Sequence, residues 1–214
     1  MKNRNLLLIV SALALSATGY GAGAKTGLVF SADVGGAMPT GALKADTNDA
    51  SGATNASADN GNIAFGLAGG YDIALNKMFS VGAELGLQYA NQVSRLSGSN
   101  DTDSASVKVS VMSIPLFATT KFYIPHTNGL NIFAKAGYAF NRLFAKDSAS
   151  GDGLSVSQTD TLNLWRPVVA GGVGYQIMND FNVFAQYQYN WLPYQGQNAG
   201  LSTVSAGLSY TLPM

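Results

Sequence analysis

The chain has 214 residues, no cysteine, and equal numbers of basic and acidic residues, 12 of each. The zero net charge gives no support for a nucleic-acid partner, and the lack of cysteine excludes a disulfide framework and a lipid-modified N-terminus. Only 11% of the residues are charged, a low share for a soluble protein, whereas glycine, tyrosine and phenylalanine are abundant.

Residues 1–24 predict a secretory signal peptide. Lys2 and Arg4 form a positive n-region, and residues 6–17 form an apolar run that is too short to cross a bilayer as a helix. Small residues suitable for cleavage follow it. Residues 25–214 are then the mature chain, which has a size that fits one all-β domain.

Alternation of apolar and polar residues predicts eight strands along the mature chain. The clearest case begins at Phe181, where the apolar residues Phe181, Val183 and Ala185 occupy every second position. Period two indicates a strand whose two faces meet different solvents. The eight segments are 27–38, 62–74, 78–90, 105–124, 130–145, 160–177, 181–191 and 201–212. Most of them are close to the 9–11 residues that a tilted strand needs to cross a bilayer.

The fourth segment changes register within itself. Val107, Val109 and Val111 share one parity, whereas Ile114 and the apolar residues after it take the other. Pro115 lies at the switch, so we expect a β-bulge there.

The connections between the segments alternate in length. The long ones are 39–61, 91–104, 146–159 and 192–200, and the short ones are 75–77, 125–129 and 178–180. Tight turns in the periplasm and long loops outside are typical of outer-membrane barrels. The long connections are rich in Ser, Ala, Asn, Asp, Gly and Thr, so we expect them to be mobile loops. The sequence therefore predicts an all-β fold, an eight-stranded antiparallel up-and-down transmembrane β-barrel with four long external loops and three short periplasmic turns.

Aromatic residues collect near the ends of the segments, as the two girdles of a membrane barrel require. On the long-loop side these are Tyr89, Trp165, Tyr187, Tyr189 and Trp191, and on the turn side Tyr71, Phe79, Phe122, Tyr175, Phe181 and Tyr210. A soluble, lipocalin-like barrel is the alternative; it would turn the apolar parity inward around a ligand.

The C-terminal segment carries a further signal. Ser205, Gly207, Tyr210 and Leu212 match the polar, glycine, aromatic and final hydrophobic positions of the assembly signal of outer-membrane barrels, although Pro213 and Met214 follow where such families usually end on an aromatic residue. In this the whole mature chain resembles the small eight-stranded outer-membrane barrels: the OmpA transmembrane domain, OmpX and the Opa-like opacity proteins. The resemblance implies a location in the outer membrane of a Gram-negative bacterium. It also implies contact with outer-membrane lipid and lipopolysaccharide and with the outer-membrane assembly machinery.

Charged residues fall on the inward parity. They are Asp33, Glu84, Lys135 and Arg166, with Lys108 and Lys121 as possible additions. Because the interior of an eight-stranded barrel is just wide enough for its own side chains, we predict an ion-pair network that plugs the lumen. The alternative is a narrow pore, since inward charges in membrane proteins often mark ion pathways.

The sequence offers no catalytic, metal or cofactor site. The only histidine, His126, falls in the short connection 125–129, on the periplasmic side of the predicted topology. One histidine without cysteine does not favour zinc, and no glycine-rich strand–turn–helix unit favours a nucleotide. We therefore expect a non-enzymatic surface protein whose loops bind host or other surface molecules. The alternatives are a narrow pore or a carrier of small hydrophobic molecules and, behind these, a lipid A-modifying enzyme.

Overall fold

The computed structural model describes residues 23–50, 55–100, 103–151, 154–192 and 197–214, so most of the predicted signal peptide lies outside the described residues. The elements in chain order are β1 (Gly27–Gly41), a 3-10 helix (Thr47–Ala50), β2 (Asn55–Asn60), β3 (Asn62–Ala74), β4 (Phe79–Ser99), β5 (Asp103–Tyr123), β6 (Leu130–Gly151), β7 (Leu154–Gln176), β8 (Phe181–Trp191) and β9 (Ala199–Pro213). Within this described part of the chain, no helix is long and apolar enough to cross a membrane.

Eight of the strands close into one antiparallel barrel. Going round the ring, β1 pairs with β3, the strands then pair in order from β3 to β9, and β9 pairs back with β1. The closing pair β1–β9 is continuous from Gly27↔Pro213 to Gly41↔Ala199. The prediction of an all-β, eight-stranded antiparallel barrel is confirmed. The short strand β2 lies outside the ring and pairs only with the outer end of β4.

The apolar parity faces outward. Leu67, Leu87 and Leu208 are 62%, 48% and 53% exposed, whereas inward neighbours such as Gln88 and Gln188 are buried. Because water is absent from the bilayer core, closure of the ring lets every strand pair on both edges where it crosses the lipid. The lipocalin-like alternative is wrong, since it requires the opposite orientation of the faces.

The three short turns lie at the end of the barrel that carries both ends of the mature domain. They follow β3, β5 and β7, and the residues between the strands are 75–78, 124–129 and 177–180. In the second of them, His126, Asn128 and Gly129 have φ values of 63°, 54° and 115°. This run of left-handed residues uses asparagine and glycine where they cost least. Short turns of this kind place this end of the barrel in the periplasm.

Two of the predicted long loops are strands. The described residues of segments 91–104 and 146–159 extend β4, β5, β6 and β7, which gives these four strands 21, 21, 22 and 23 residues. A tilted strand needs only 9–11 residues to cross the membrane, so about half of each strand stands outside it. With β2 these outer halves form a five-stranded external sheet in the order β2–β4–β5–β6–β7.

The predicted bulge at Pro115 is also wrong. Pairing of β5 with β6 keeps one register through Ile114↔Phe140, Pro115↔Ala139 and Leu116↔Tyr138. The irregularity lies instead in β4, between Ala90 and Ser94, where Gln92 has a φ of 39°. Val107, Val109 and Val111 belong to the inward parity throughout. Val111 is buried in an apolar cluster and Val109 packs against it, whereas Val107 is 39% exposed farther out on the strand.

Candidate functional site

An ion pair lies in the middle of the lumen. Lys135 Nζ lies 2.6 Å from Glu84 Oε1, and both side chains are largely buried. The same ammonium group lies 5.5 Å and 5.8 Å from the ring centroids of Phe133 and Phe117. Asp33 lines the same small cavity as Glu84 and Lys135. Three of the four predicted lumen charges therefore lie together.

Two glycines make room for Asp33. In the register Asp33 lies between Gly66 on β3 and Gly207 on β9. A Cβ atom at Gly207 would stand 2.7 Å from Asp33 Cβ, and one at Gly66 would collide with the Asp33 carboxylate. Gly207, matched to the assembly signal by sequence, thus also has a packing reason to be glycine.

Arg166 is not part of this group. It lies opposite Ala139, whereas Lys135 lies opposite Ala170, so the two differ by four residues along β7, about 13 Å. Its guanidinium donates to the Trp165 carbonyl over 3.3 Å and forms no ion pair within the described residues. The prediction that Arg166 belongs to one network with Asp33, Glu84 and Lys135 is therefore wrong.

The two possible additions to the lumen charges behave differently. Lys121 points inward and pairs with Asp72 over 2.6 Å, one level closer to the periplasmic turns. Lys108 takes the opposite parity and points away from the lumen, because β5 keeps one register throughout.

A hydrogen-bonded layer crosses the lumen above the ion pair. Gln188 on β8 donates to Gln88 on β4 over 2.7 Å, which joins walls that stand opposite each other in the eight-membered ring. Asn190 donates to Ser113 over 3.4 Å, and Ser113 donates to Asn141 over 2.6 Å. These side chains are buried. The bridge therefore spans the lumen from wall to wall at this level.

An apolar plug closes the outer end of the lumen, a feature that the sequence interpretation missed. Its buried members are Ala37, Leu43, Ala64, Ala90, Val93, Val111, Leu143, Leu192, Ala199 and Leu201. The bulge in β4 contributes to it, since Val93 is fully buried at the irregular position. Burial of this much apolar surface stabilises the ordered outer end of the barrel.

Outside the membrane, the external sheet carries one unusually regular polar face. Residues that lie directly opposite each other in the register share a face and form rows across the strands. The first serine row is Ser57, Ser97, Ser106, Ser148 and Ser157. A second row, nearer the tips, is Asn55, Ser99, Ser104 and Ser150. Hydrogen bonds of 2.9 Å between Ser57 and Ser97 and of 2.8 Å between Ser104 and Ser150 hold neighbouring members together.

These rows line a groove of about 670 Å³, which we call the serine groove. Eight of its 16 lining residues are serines, so it offers many hydroxyl groups for hydrogen bonding. Arg95 and Lys146 lie at the groove's edge on the membrane side. The sequence did show the signal, a serine or lysine at every second position of 104–110. The predicted fourth segment begins in this stretch, but 91–104 and 146–159 have the composition of loops, which concealed the partner strands of the serine rows.

The remaining predicted residues have clear positions. Ser205 and Gly207 face the lumen, whereas Leu212 is exposed on the outer face and Tyr210 packs on Phe181 with ring centroids 4.8 Å apart. Their role as an assembly signal stays a prediction. His126 is exposed in the second periplasmic turn. In the described part of the chain no three His, Cys, Asp or Glu side chains cluster as a metal would require.

Comparison with known proteins agrees with this architecture. The family model of the OmpA-like transmembrane domain matches residues 20–213. Neisserial surface protein A (NspA) is 16% identical with a TM-score of 0.50, over 88% of this chain and 99% of that structure. The outer membrane protease OmpT from Escherichia coli is 11% identical with a TM-score of 0.50, over 92% and 99%.

At these identities the two structures show a shared fold alone. No curated protein matches the chain in sequence. The family match covers nearly the whole chain and agrees with the closed ring and its lipid-facing outer parity. The chain therefore belongs to the family of the OmpA-like transmembrane domain and is an outer-membrane β-barrel protein.

Proposed function

We propose that this protein is a non-catalytic binding protein of the cell surface. The barrel anchors the external sheet, and the serine groove binds a host component or another surface molecule. The observation that carries the proposal is the length of β4 to β7, which exceeds what the membrane requires by about a factor of two. Strands held in register present a groove at little cost in ordering entropy, unlike a disordered loop.

The chemistry of the groove supports a polar ligand. Its volume lies within the range of ordinary ligand sites, about 300–1,000 Å³, but such sites are mostly apolar. Serine hydroxyls both donate and accept hydrogen bonds, so rows of them suit a ligand with many hydroxyl or carbonyl groups. A saccharide or a polar stretch of a protein surface has this character.

The lumen gives little support to transport. The Gln88–Gln188 bridge and the apolar plug lie in series along the axis, and the Glu84–Lys135 pair occupies the space below them. A pore or a carrier would have to open all three levels. The barrel is therefore better suited to anchoring than to conduction.

Enzymatic modification of lipid A is also poorly supported. A histidine base for that reaction must reach its nucleophile within about 3 Å near the outer leaflet. His126 is exposed in a turn at the opposite end of the barrel. We therefore keep the proposal free of any catalytic step.

Filling the groove tests the proposal. We would reconstitute the full-length barrel in lipid nanodiscs and measure binding to an array of glycans and immobilised matrix proteins. Ser106→Trp fills the centre of the first serine row, and Val107→Trp is the matched control because Val107 is the next residue of β5 and faces the other side of the sheet. We expect at least one ligand to bind the wild type and the Val107→Trp variant, and to bind Ser106→Trp about tenfold more weakly or worse. No ligand on either array, or equal loss in both variants, would refute the groove as the binding site.

A further inference from the structure

A row of basic residues crosses the external sheet on the membrane side of the serine groove. Arg95 on β4 lies opposite Lys108 on β5, and Lys108 lies opposite Lys146 on β6. Neighbouring strands are about 4.8 Å apart, so three cations stand side by side across three strands. We call Arg95, Lys108 and Lys146 the basic row.

Like charges directly opposite each other destabilise a sheet. Acidic partners would relieve the repulsion, yet none of the three forms an ion pair among the described residues. Asp59 is opposite Arg95 in the register without forming such a pair. The row is therefore a concentration of positive charge that a bound anion would stabilise.

The position of the row identifies where that anion comes from. On β6 the outward parity runs through Phe140, Arg142, Phe144 and Lys146, so the basic row lies on the continuation of the lipid-facing surface. Phe140 packs on Trp165 with ring centroids 5.6 Å apart, at the level predicted for the outer aromatic girdle. Lys146 lies six residues beyond Phe140, about 20 Å along the strand, and Arg142 lies two residues beyond it, about 7 Å.

A side chain on the outer face at the level of Arg142 or Lys146 points away from the barrel axis, toward the layer of lipid headgroups. In the outer leaflet of this membrane the headgroups belong to lipopolysaccharide, which carries phosphate groups on its sugars close to the hydrocarbon. Arg142 is exposed nearest the hydrocarbon, with its guanidinium carbon 5.1 Å from the Phe144 ring centroid. The basic row lies farther from the hydrocarbon than Arg142 and on the same face of the sheet.

We propose that the basic row and Arg142 form a binding site for the sugar phosphates of the surrounding lipopolysaccharide. The site fixes the foot of the external sheet to the leaflet. Its chemistry is that of charge-assisted hydrogen bonds between ammonium or guanidinium groups and phosphate oxygens. Arg95 and Lys146 also form the membrane-side edge of the serine groove, so the serine rows farther out stay free for the ligand of the proposed function.

Binding of lipopolysaccharide to the full-length barrel in phospholipid nanodiscs tests the site. The ligands are fluorescently labelled lipopolysaccharide, the same material with its phosphates removed by hydrofluoric acid, and heparin as a soluble polyanion. The test variant is Lys108→Gln/Lys146→Gln. The control, Lys44→Gln/Lys77→Gln, removes the same charge from two exposed lysines outside the row. Retention of the cold-gel mobility shift establishes that each variant is folded.

We expect the test variant to bind intact lipopolysaccharide roughly thirty-fold more weakly than the wild type, since each basic residue near an anionic surface contributes about 1 kcal/mol. The control should bind as the wild type does, and dephosphorylated lipopolysaccharide should bind the wild type as weakly as the test variant binds the intact form. Lys108→Arg/Lys146→Arg keeps the charge and should keep the affinity. If the double glutamine variant does not fold, the single variant Arg95→Gln replaces it and should bind intact lipopolysaccharide about fivefold more weakly than the wild type.

Equal affinity of the test and control variants would overturn the proposal, as would binding that does not depend on phosphate or salt. The proposal would also be overturned if the wild type bound heparin more tightly than lipopolysaccharide and the test variant lost the binding of heparin. The row would then bind a soluble polyanion.

Discussion

Replacing Lys135 by methionine tests the packing of the lumen most sharply. Methionine keeps most of the side-chain length against Phe117 and Phe133 but removes the ammonium group that lies 2.6 Å from Glu84. The variant leaves the Glu84 and Asp33 carboxylates in one cavity without a cation. Breaking a buried ion pair from one side costs about 3–5 kcal/mol, so we expect Lys135→Met to lower the free energy of unfolding by that amount.

The opposite single change should cost less. In Glu84→Gln the ammonium group of Lys135 still has Asp33 on the same cavity wall, so we expect a loss of about 1.5–3 kcal/mol, the value of a hydrogen bond to a charged group. The double variant Glu84→Gln/Lys135→Met should be more stable than Lys135→Met alone, because it removes both charges.

Urea titration of the refolded barrel in lipid vesicles, followed by tryptophan fluorescence, measures these differences. Lys77→Met, in an exposed turn, is the control and should lie within about 0.5 kcal/mol of the wild type. A smaller loss for Lys135→Met than for Glu84→Gln, or a double variant whose loss equals the sum of the two single losses, would refute the reasoning.

Two further predictions concern the faces and the lumen. Leu208→Arg should destabilise the barrel by about 2–4 kcal/mol because Leu208 faces lipid, whereas Ser209→Arg, on the lumen side, should cost less in the same urea titration; equal tolerance of both changes would contradict the assigned faces. In planar bilayers the wild type, Glu84→Ala and Arg166→Ala should all show negligible conductance because the polar bridge and the apolar plug close the lumen. Regular current steps from the wild type would show that the lumen conducts.

The membrane-spanning part of the fold could be predicted from the sequence because lipid imposes a strict rule on it. The segments 62–74 and 181–191 agree with β3 and β8 at both ends. In each, an apolar outer face alternates with inward residues that are small or polar, apart from Phe184 in β8, and the pattern stops at turn residues. Where one face must meet lipid, period two leaves little freedom in the assignment.

The external sheet could not be predicted in this way, since both of its faces meet water. Residues 105–110 belong to the predicted fourth segment, whereas 91–104 and 146–159 consist mainly of small and polar residues, so their composition resembles that of a loop. Each extended strand is paired in register with its neighbour, and this pairing satisfies the backbone without a hydrophobic core. The wrong prediction at Pro115 has another cause, because the change from polar inward residues to the inward Val111 and Val109 looked like a change of register.

The lumen charges show where parity stops being informative. Parity places Glu84, Lys135 and Arg166 on one side of the wall, but it does not give their heights, which depend on the stagger of the strands around the ring. Only the paired register shows that Arg166 lies four residues from the level of Lys135. Ion pairs inside a barrel therefore need the register, in addition to the face.

The outer halves of β4 to β7 form a sheet in the stated register, and a disulfide cross-link tests this register directly. The chain has no cysteine, so an introduced pair can be cross-linked without interference on intact cells. Ser97 and Ser106 lie opposite each other on one face, whereas Val107 lies on the other face. The structure predicts rapid disulfide formation in Ser97→Cys/Ser106→Cys and little in Ser97→Cys/Val107→Cys under a mild oxidant. Equal cross-linking of both pairs would contradict the ordered sheet and, with it, the groove and the basic row.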